Sequence, residues 1–265
     1  MRIDLTGRVA LVTGSTAGIG FAIAGGLAAA GAEVVVNGRD QARSAEAAAR
    51  LADRPDVAVA PRGVGADVGT AEGCAGLAEA VPRVDVLVNN AGVFTPTPVL
   101  DIPDDEWQRH FEVNVMSGVR LSRAYVPGML ERGWGRVIFI SSESALQIPA
   151  EMVHYGMTKT AQLAVSRGLA ESFPASGVTV NCVLPGPTMT EGLHAMLDPD
   201  GTLDEAALDA AGRRFVAESR PTSLIGRPST PDEVAAMVVY LASDQASATT
   251  GAALKVDGGV TRGVA

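Results

Sequence analysis

Short, unbroken apolar runs alternate along this chain with longer segments of helical period. Runs at 9–13, 33–37, 85–89, 136–141, 178–183 and 252–256 read as strands, and a weaker one lies near 57–60, extending toward Asp67. Between them, helices are expected over 19–30, from Asp40 to 52, over 71–80, 104–132, 152–173, 203–217 and 231–242. Gly31 ends the first of these, Asp40 caps the second, Asp104 and Asp105 cap the long fourth one, and Pro231 stands in the first turn of the last.

Strands that are apolar on both faces and separated by helices predict a parallel sheet covered on both sides. Right-handed crossovers make that sheet doubly wound, so the expected fold class is α/β, Rossmann-like, in a single domain over 1–265. The rhythm breaks once, between Pro185 and Pro228, in a stretch rich in Gly, Pro, Thr and Asp. Within it, 187–227 is expected to be a substrate-binding lid.

Composition narrows the function. A net charge of −9, with no basic run, argues against nucleic acid. The N-terminal Met1–Gly7 does not read as a signal peptide, and no apolar run approaches the roughly 20 residues that span a bilayer, so no membrane association is expected and the location expected is cytoplasmic. Cys74 and Cys182 have no metal-ligand spacing and read as buried reduced thiols. The three histidines share no spacing either, so no metal site is expected; His110 reads as a surface or interface residue.

Chemistry concentrates at strand ends. Thr13-Gly14-Ser15-Thr16-Ala17-Gly18-Ile19-Gly20 joins the first strand to the first helix. Glycines let a diphosphate approach the backbone there, and the helix start offers free N–H groups. An acid at the end of the second strand would bind a ribose 2′-hydroxyl, whereas an arginine accommodates a 2′-phosphate; the residues are Asn37-Gly38-Arg39, which favours NADP over NAD. Asn89-Asn90-Ala91-Gly92 follows the fourth strand and Asp67-Val68 the third. Tyr155 and Lys159 lie about one helical turn apart, so phenol and ammonium share a face, and an ammonium beside a phenol lowers its pKa. The chain holds only two lysines, Lys159 and Lys255, which makes that spacing more telling.

Together with Asn114, Ser142 and Pro185-Gly186, these motifs resemble, in order and spacing, the classical short-chain dehydrogenase/reductase family, from Gly7 to Gly259. The resemblance implies an NAD(P)(H)-dependent oxidoreductase that interconverts a ketone or aldehyde and an alcohol. It implies Tyr155 as general acid/base, Ser142 as hydrogen-bond partner of the substrate oxygen, Lys159 as ribose ligand that lowers the Tyr155 pKa, and Asn114 as holder of a water in a proton relay. Asp67 and Val68 would contact adenine, Asn90 the ribose side and Thr188 the carboxamide, with Gly14, Ser15, Thr16, Gly18, Ile19, Gly20, Ala91, Gly92, Pro185 and Gly186 completing the cofactor site. The resemblance also implies a homotetramer or dimer built on the helices near 104–131 and 153–173 and on the last strand.

Two departures matter. Ala17 stands where NADPH users often carry a basic residue, so Arg39 acts alone and NAD remains possible. Pro127 and Ser176 replace basic residues that dock acyl carrier proteins, which counts against the alternative of a 3-oxoacyl thioester reductase. A non-catalytic dinucleotide-binding sensor or scaffold is the other alternative. Between Ser142 and Tyr155, Ser144 and Gln147 are the expected substrate contacts. Glu143, Glu151 and His154 are expected to face solvent or cap the Tyr155 helix, or else to read a polar or basic substrate group. Beyond Pro185-Gly186, Met189, Leu193, His194, Met196 and Leu197 could close over an apolar part of the substrate.

Overall fold

Central parallel strands need side chains that tolerate burial on both faces, and the Val- and Ile-rich runs supply them. A computed structural model describes residues 3–263. Positions 1, 2, 264 and 265 of the expected domain, and so the Met1–Arg2 start of the N-terminal segment, lie outside the described residues. The strands are β1 (Val9–Val12), β2 (Glu33–Gly38), β3 (Arg62–Gly65), β4 (Val86–Asn89), β5 (Gly135–Ile140), β6 (Val178–Pro185) and β7 (Ala253–Val256). They form one sheet in the order β3-β2-β1-β4-β5-β6-β7, with every pairing parallel. All of β4, β5 and β6 is buried.

The helices are α1 (Gly18–Ala29), α2 (Gln41–Ala52), α3 (Ala71–Ala80), α4 (Asp104–Phe111), α5 (Ser117–Glu131), α6 (Val153–Ser172), α7 (Glu191–Leu197), α8 (Glu205–Ser219) and α9 (Pro231–Ala242). Ile23, Leu27, Leu51, Val234 and Leu241 pack α1, α2 and α9 on one face of the sheet. Leu77, Leu121, Met129 and Phe139 join the other face to α3 and α5. Small residues let these layers close: a Cβ on Gly118 would stand 2.5 Å from Phe139 Cε1, so α5 lies directly on that ring. The chain leaves the neighbouring strands β1 and β4 toward opposite edges, which opens a crevice beyond their carboxyl ends.

The cap at Asp40 and the first-turn place of Pro231 form as expected, and Thr230 adds a cap that was not anticipated. Asp40 accepts from Arg43 N, and Thr230 closes a capping box with Glu233 ahead of Pro231. Four expectations shift. The third strand is Arg62–Gly65, beyond 57–60, because this edge strand packs against α2 through glycine; a Cβ on Gly63 would stand 2.3 Å from the Ser44 backbone. Asp104 and Asp105 lie within the first turn of α4, whose N-cap is Pro103, so they favour the positive helix end without capping it. The long helix is interrupted by a π-helical turn at Glu112–Met116. The lid stretch holds α7 as well as α8, since Thr190 caps a helix that the surrounding Gly, Pro and Thr disguise. Its neck is pinned where Thr188 bridges Ser229. Among the described residues no helix is long and apolar enough to cross a membrane.

Candidate active site

The glycine loop works by close approach. Gly14 has φ +60°, and a Cβ there would stand 2.9 Å from Ala91 Cα, while one on Gly20 would stand 2.4 Å from Gly14 O. No side chain caps α1, whose N-cap is Ala17, so its first-turn N–H groups face outward. One of them already holds an anion: Gly18 N donates to the Glu191 carboxylate Oε2 at 2.9 Å. A helix start that draws in a carboxylate is chemically suited to a diphosphate. Alongside runs a cleft of about 440 Å³, lined by Gly14, Thr16, Arg39, Asp67, Val68, Ala91 and Gly92, and also by Arg109, Glu112 and Val113, which sequence reasoning missed.

Two of the expected cofactor residues brace the loop. Ser15 is fully buried, its hydroxyl donating to Val12 O and accepting from Asn37 N. The Asn90 amide donates to Thr13 O and Gly14 O, both at 2.9 Å. Ile19 packs partly against the core, the Thr188 hydroxyl donates to Gly186 O, and Pro185 ends β6.

At the sheet's carboxyl edge four chemical residues come together. Ser142 follows β5, and Tyr155 and Lys159 share a face of α6, which Ser141 anchors by donating its hydroxyl to Lys159 O. Ser142 hydrogen-bonds the Tyr155 phenol. Asn114 lies in the π-turn, which aims its side chain at Val93: Oδ1 accepts from Val93 N at 2.7 Å, while Nδ2 donates to Val93 O and Thr158 Oγ1. A Cβ on Gly92 would touch Asn114 Oδ1 and Lys159 Nζ at 3.4 and 3.5 Å, so the cleft runs into this cluster. Gln162, not anticipated, donates to Asn114 O at 2.6 Å.

The electrostatics correct the expectation for Tyr155. Lys159 Nζ donates to Ile140 O at 2.9 Å, and burial holds its pKa down at about 8. Burial pushes the Tyr155 phenol up to about 12; the Ser142 hydrogen bond opposes this, the Glu143 carboxylate adds to it and Arg220 opposes it. Desolvation therefore outweighs Ser142 and Arg220, and the phenol is held above its ordinary value. Because unfolded lysine titrates near 10.4, the folded chain binds fewer protons between about pH 8 and 10.4, and this group makes stability rise with pH across that window. With two lysines in the chain, carbon-13 lysine NMR is expected to show two side-chain resonances, one with its midpoint near pH 8 that vanishes in Lys159→Arg. A midpoint near the ordinary lysine value in the folded protein would refute the burial argument.

Glu143 and His154 neither face solvent nor cap α6; both are buried, and only Glu151 is exposed. Glu143 Oε2 accepts from Ser142 Oγ at 2.5 Å, and its Oε1 accepts from Arg220 Nε at 2.8 Å. Arg220, just after α8, carried no sequence signal, because its partner lies 77 residues away. Ser144 is buried and its N–H donates to Ser142 Oγ, whereas Gln147 is exposed at the rim. Phe94 meets the Tyr155 ring edge-on at 6.1 Å and is largely exposed. Met189, Leu193 and Leu197 are partly buried in the lid, while His194 and Met196 are exposed.

Known proteins resemble this chain along its whole length. A family model described as enoyl-(acyl carrier protein) reductase matches residues 14–261. The uncharacterized oxidoreductase YvaG of Bacillus subtilis (strain 168) is 49% identical over 265 residues, covering 100% of both chains. The D-beta-hydroxybutyrate dehydrogenase of Cupriavidus necator is 32% identical over 264 residues, covering 96% of this chain and 98% of that one. The crystal structure of L-sorbose reductase from Gluconobacter frateurii, complexed with NADPH and L-sorbose, superimposes with a TM-score of 0.90 at 33% identity over 100% of both chains.

Proposed function

The chain belongs to the short-chain dehydrogenase/reductase family and is an NAD(P)-dependent oxidoreductase acting on CH–OH and C=O groups; from that premise we propose that its substrate is a small carbonyl compound with a hydroxyl beside the reacting carbon, reduced with NADP(H) in preference to NAD(H). The observation that carries this reading is the Tyr155–Ser142–Glu143–Arg220 series, in which Ser142 and Glu143 are buried. Ser142 has one hydroxyl proton, and Glu143 takes it in the unliganded protein. A substrate hydroxyl that donates to Glu143 replaces Ser142 there, and the Ser142 proton turns to the carbonyl oxygen. A substrate without that hydroxyl leaves Ser142 held by Glu143. L-sorbose, found in the similar reductase, is a compound of this hydroxylated kind.

When bound, the dinucleotide supplies the hydride in reduction or accepts it in oxidation. Tyr155 donates its phenolic proton to the carbonyl oxygen as the alcohol forms, and a phenol held protonated suits that direction. Lys159 and Asn114 position the nicotinamide ribose and the proton supply behind Tyr155. Arg39, exposed at the cleft, pairs with the 2′-phosphate. Segment 187–227 serves as the lid over the open rim at Phe94. A cytoplasmic location and a homo-oligomer belong to the same reading. The oligomer is supported by an apolar groove of about 330 Å³ between α5 and α6, lined by Val126, Leu130, Val165, Leu169 and Phe173, which suits a second copy of the chain.

The test compares an α-hydroxy ketone with the same ketone lacking the hydroxyl, in the parent protein and in Glu143→Gln. A hydrogen bond to a charged group is worth ~1.5–3 kcal/mol, so kcat/KM for the hydroxylated substrate should fall roughly 10- to 150-fold, with little loss for the plain ketone. An equal change for both substrates would remove Glu143 from recognition while leaving the oxidoreductase assignment standing.

A further inference from the structure

Two of the three histidines, which share no sequence spacing, meet between α4 and the first turn of α6. Glu106 and His110 lie four residues apart on one face of α4, and His154 reaches them from α6. Both imidazoles are fully buried, with ring centroids 4.0 Å apart. Burying a polar ring without partners is costly, and here three ring nitrogens lack one: His110 Nε2 and both nitrogens of His154. His110 Nδ1 is 3.0 Å from Glu106 O and 3.4 Å from the Glu106 carboxylate. The Trp107 ring closes one side, edge-on to His154 at 5.7 Å. The Glu106 side chain is 21% exposed, so it forms the entry from solvent.

From this geometry we infer that Glu106, His110 and His154 form a binding site for a divalent transition-metal ion of the zinc class. One donor atom from each of the three residues lies within 4.8 Å of the others. Around a tetrahedral ion with bonds of about 2.0–2.1 Å, donors stand about 3.4 Å apart, so side-chain adjustments of about 1 Å complete the set. Two imidazoles and a carboxylate suit zinc, cobalt or nickel and disfavour calcium and magnesium, which prefer oxygen donors. The Glu106 carboxylate also pairs with Arg109, which must release one of its oxygens when the ion enters. A bound ion would tie α4 to α6 at the residue before Tyr155, so occupancy bears on the position of the reacting phenol. The site is separate from the Tyr155–Ser142–Glu143–Arg220 series and does not depend on the substrate assignment.

The test uses the full-length protein, stripped with chelator and freed of any histidine tag, titrated with ZnCl2 calorimetrically, with CoCl2 as a spectroscopic probe. We expect one ion per chain, visible absorption of the intensity typical of tetrahedral cobalt, and a Tm rise of about 5 °C or more when free zinc is 100 times its Kd. Glu106→Gln, at the partly exposed position, should keep the fold and weaken binding at least tenfold; His154→Asn should abolish binding. If His154→Asn does not fold, anomalous diffraction from zinc-soaked crystals of the unaltered protein decides, with the ion expected between His110 Nε2 and the His154 ring. The inference is overturned if the unaltered protein takes up no ion, if both variants bind as it does, or if the anomalous peak lies elsewhere.

Discussion

Tyr155→Phe is expected to lower kcat by roughly 10²–10⁴-fold while leaving dinucleotide affinity within about twofold, because it removes one proton donor and almost no packing. The ring keeps its edge contact with Phe94 and its place in the first turn of α6, where the backbone carbonyl of Tyr155 still accepts from Thr158 Oγ1. What disappears is the hydroxyl that Ser142 bonds. Ser142 and Glu143 offer no substitute acid: the serine proton is held by Glu143, and the Glu143 carboxylate is paired with Arg220. Steady-state rates, with nicotinamide fluorescence to follow binding, measure both quantities on one preparation. Retention of more than a tenth of the parent kcat would mean that another group or a water moves the proton. Collapse of cofactor binding alongside activity would mean that the phenol has a mainly structural role.

Arg39→Ala is expected to weaken NADPH binding roughly 10- to 100-fold and to leave NADH binding almost unchanged. The physical basis is local, because Ala17 holds the position beside Gly18 and the glycine loop itself supplies no second cation. Charged hydrogen bonds contribute ~1.5–3 kcal/mol each, and the exposure of Arg39 puts the effect toward the lower end through solvent screening. Fluorescence titration with both dinucleotides gives the selectivity ratio directly. Equal weakening of NADPH and NADH would indicate a distorted loop, and no change would make Arg39 bystander surface, leaving NADH to be tested as the working cofactor.

Particular residues divide into those whose role is local and those whose role depends on the fold. Thr13–Gly20 reads correctly from sequence because strand end, turn and helix start are consecutive, and Gly14 and Gly20 are required by contacts within a short stretch and its immediate neighbour strand. The caps at Asp40 and Thr230 are likewise set within four residues. Tyr155 and Lys159 share a face because one helical turn separates them. By contrast, β3 carries only Val64 as a large apolar residue, so its pairing is set by β2 and by the approach of α2, which no local period records.

The sequence by itself determined the alternation of strands and helices, the doubly wound sheet, the glycine cradle and the Tyr155–Lys159 pair, since each follows from side-chain period or from neighbours within a few residues. Tertiary structure alone decided that Ser15 and Asn90 brace the loop, that burial pushes the Tyr155 phenol above its ordinary value, that Glu143 is held between Ser142 and Arg220, and that His110 faces His154. The reason is physical. Desolvation and pairing depend on what the rest of the chain brings to a position, and the sheet assembles those surroundings from segments that are remote in sequence.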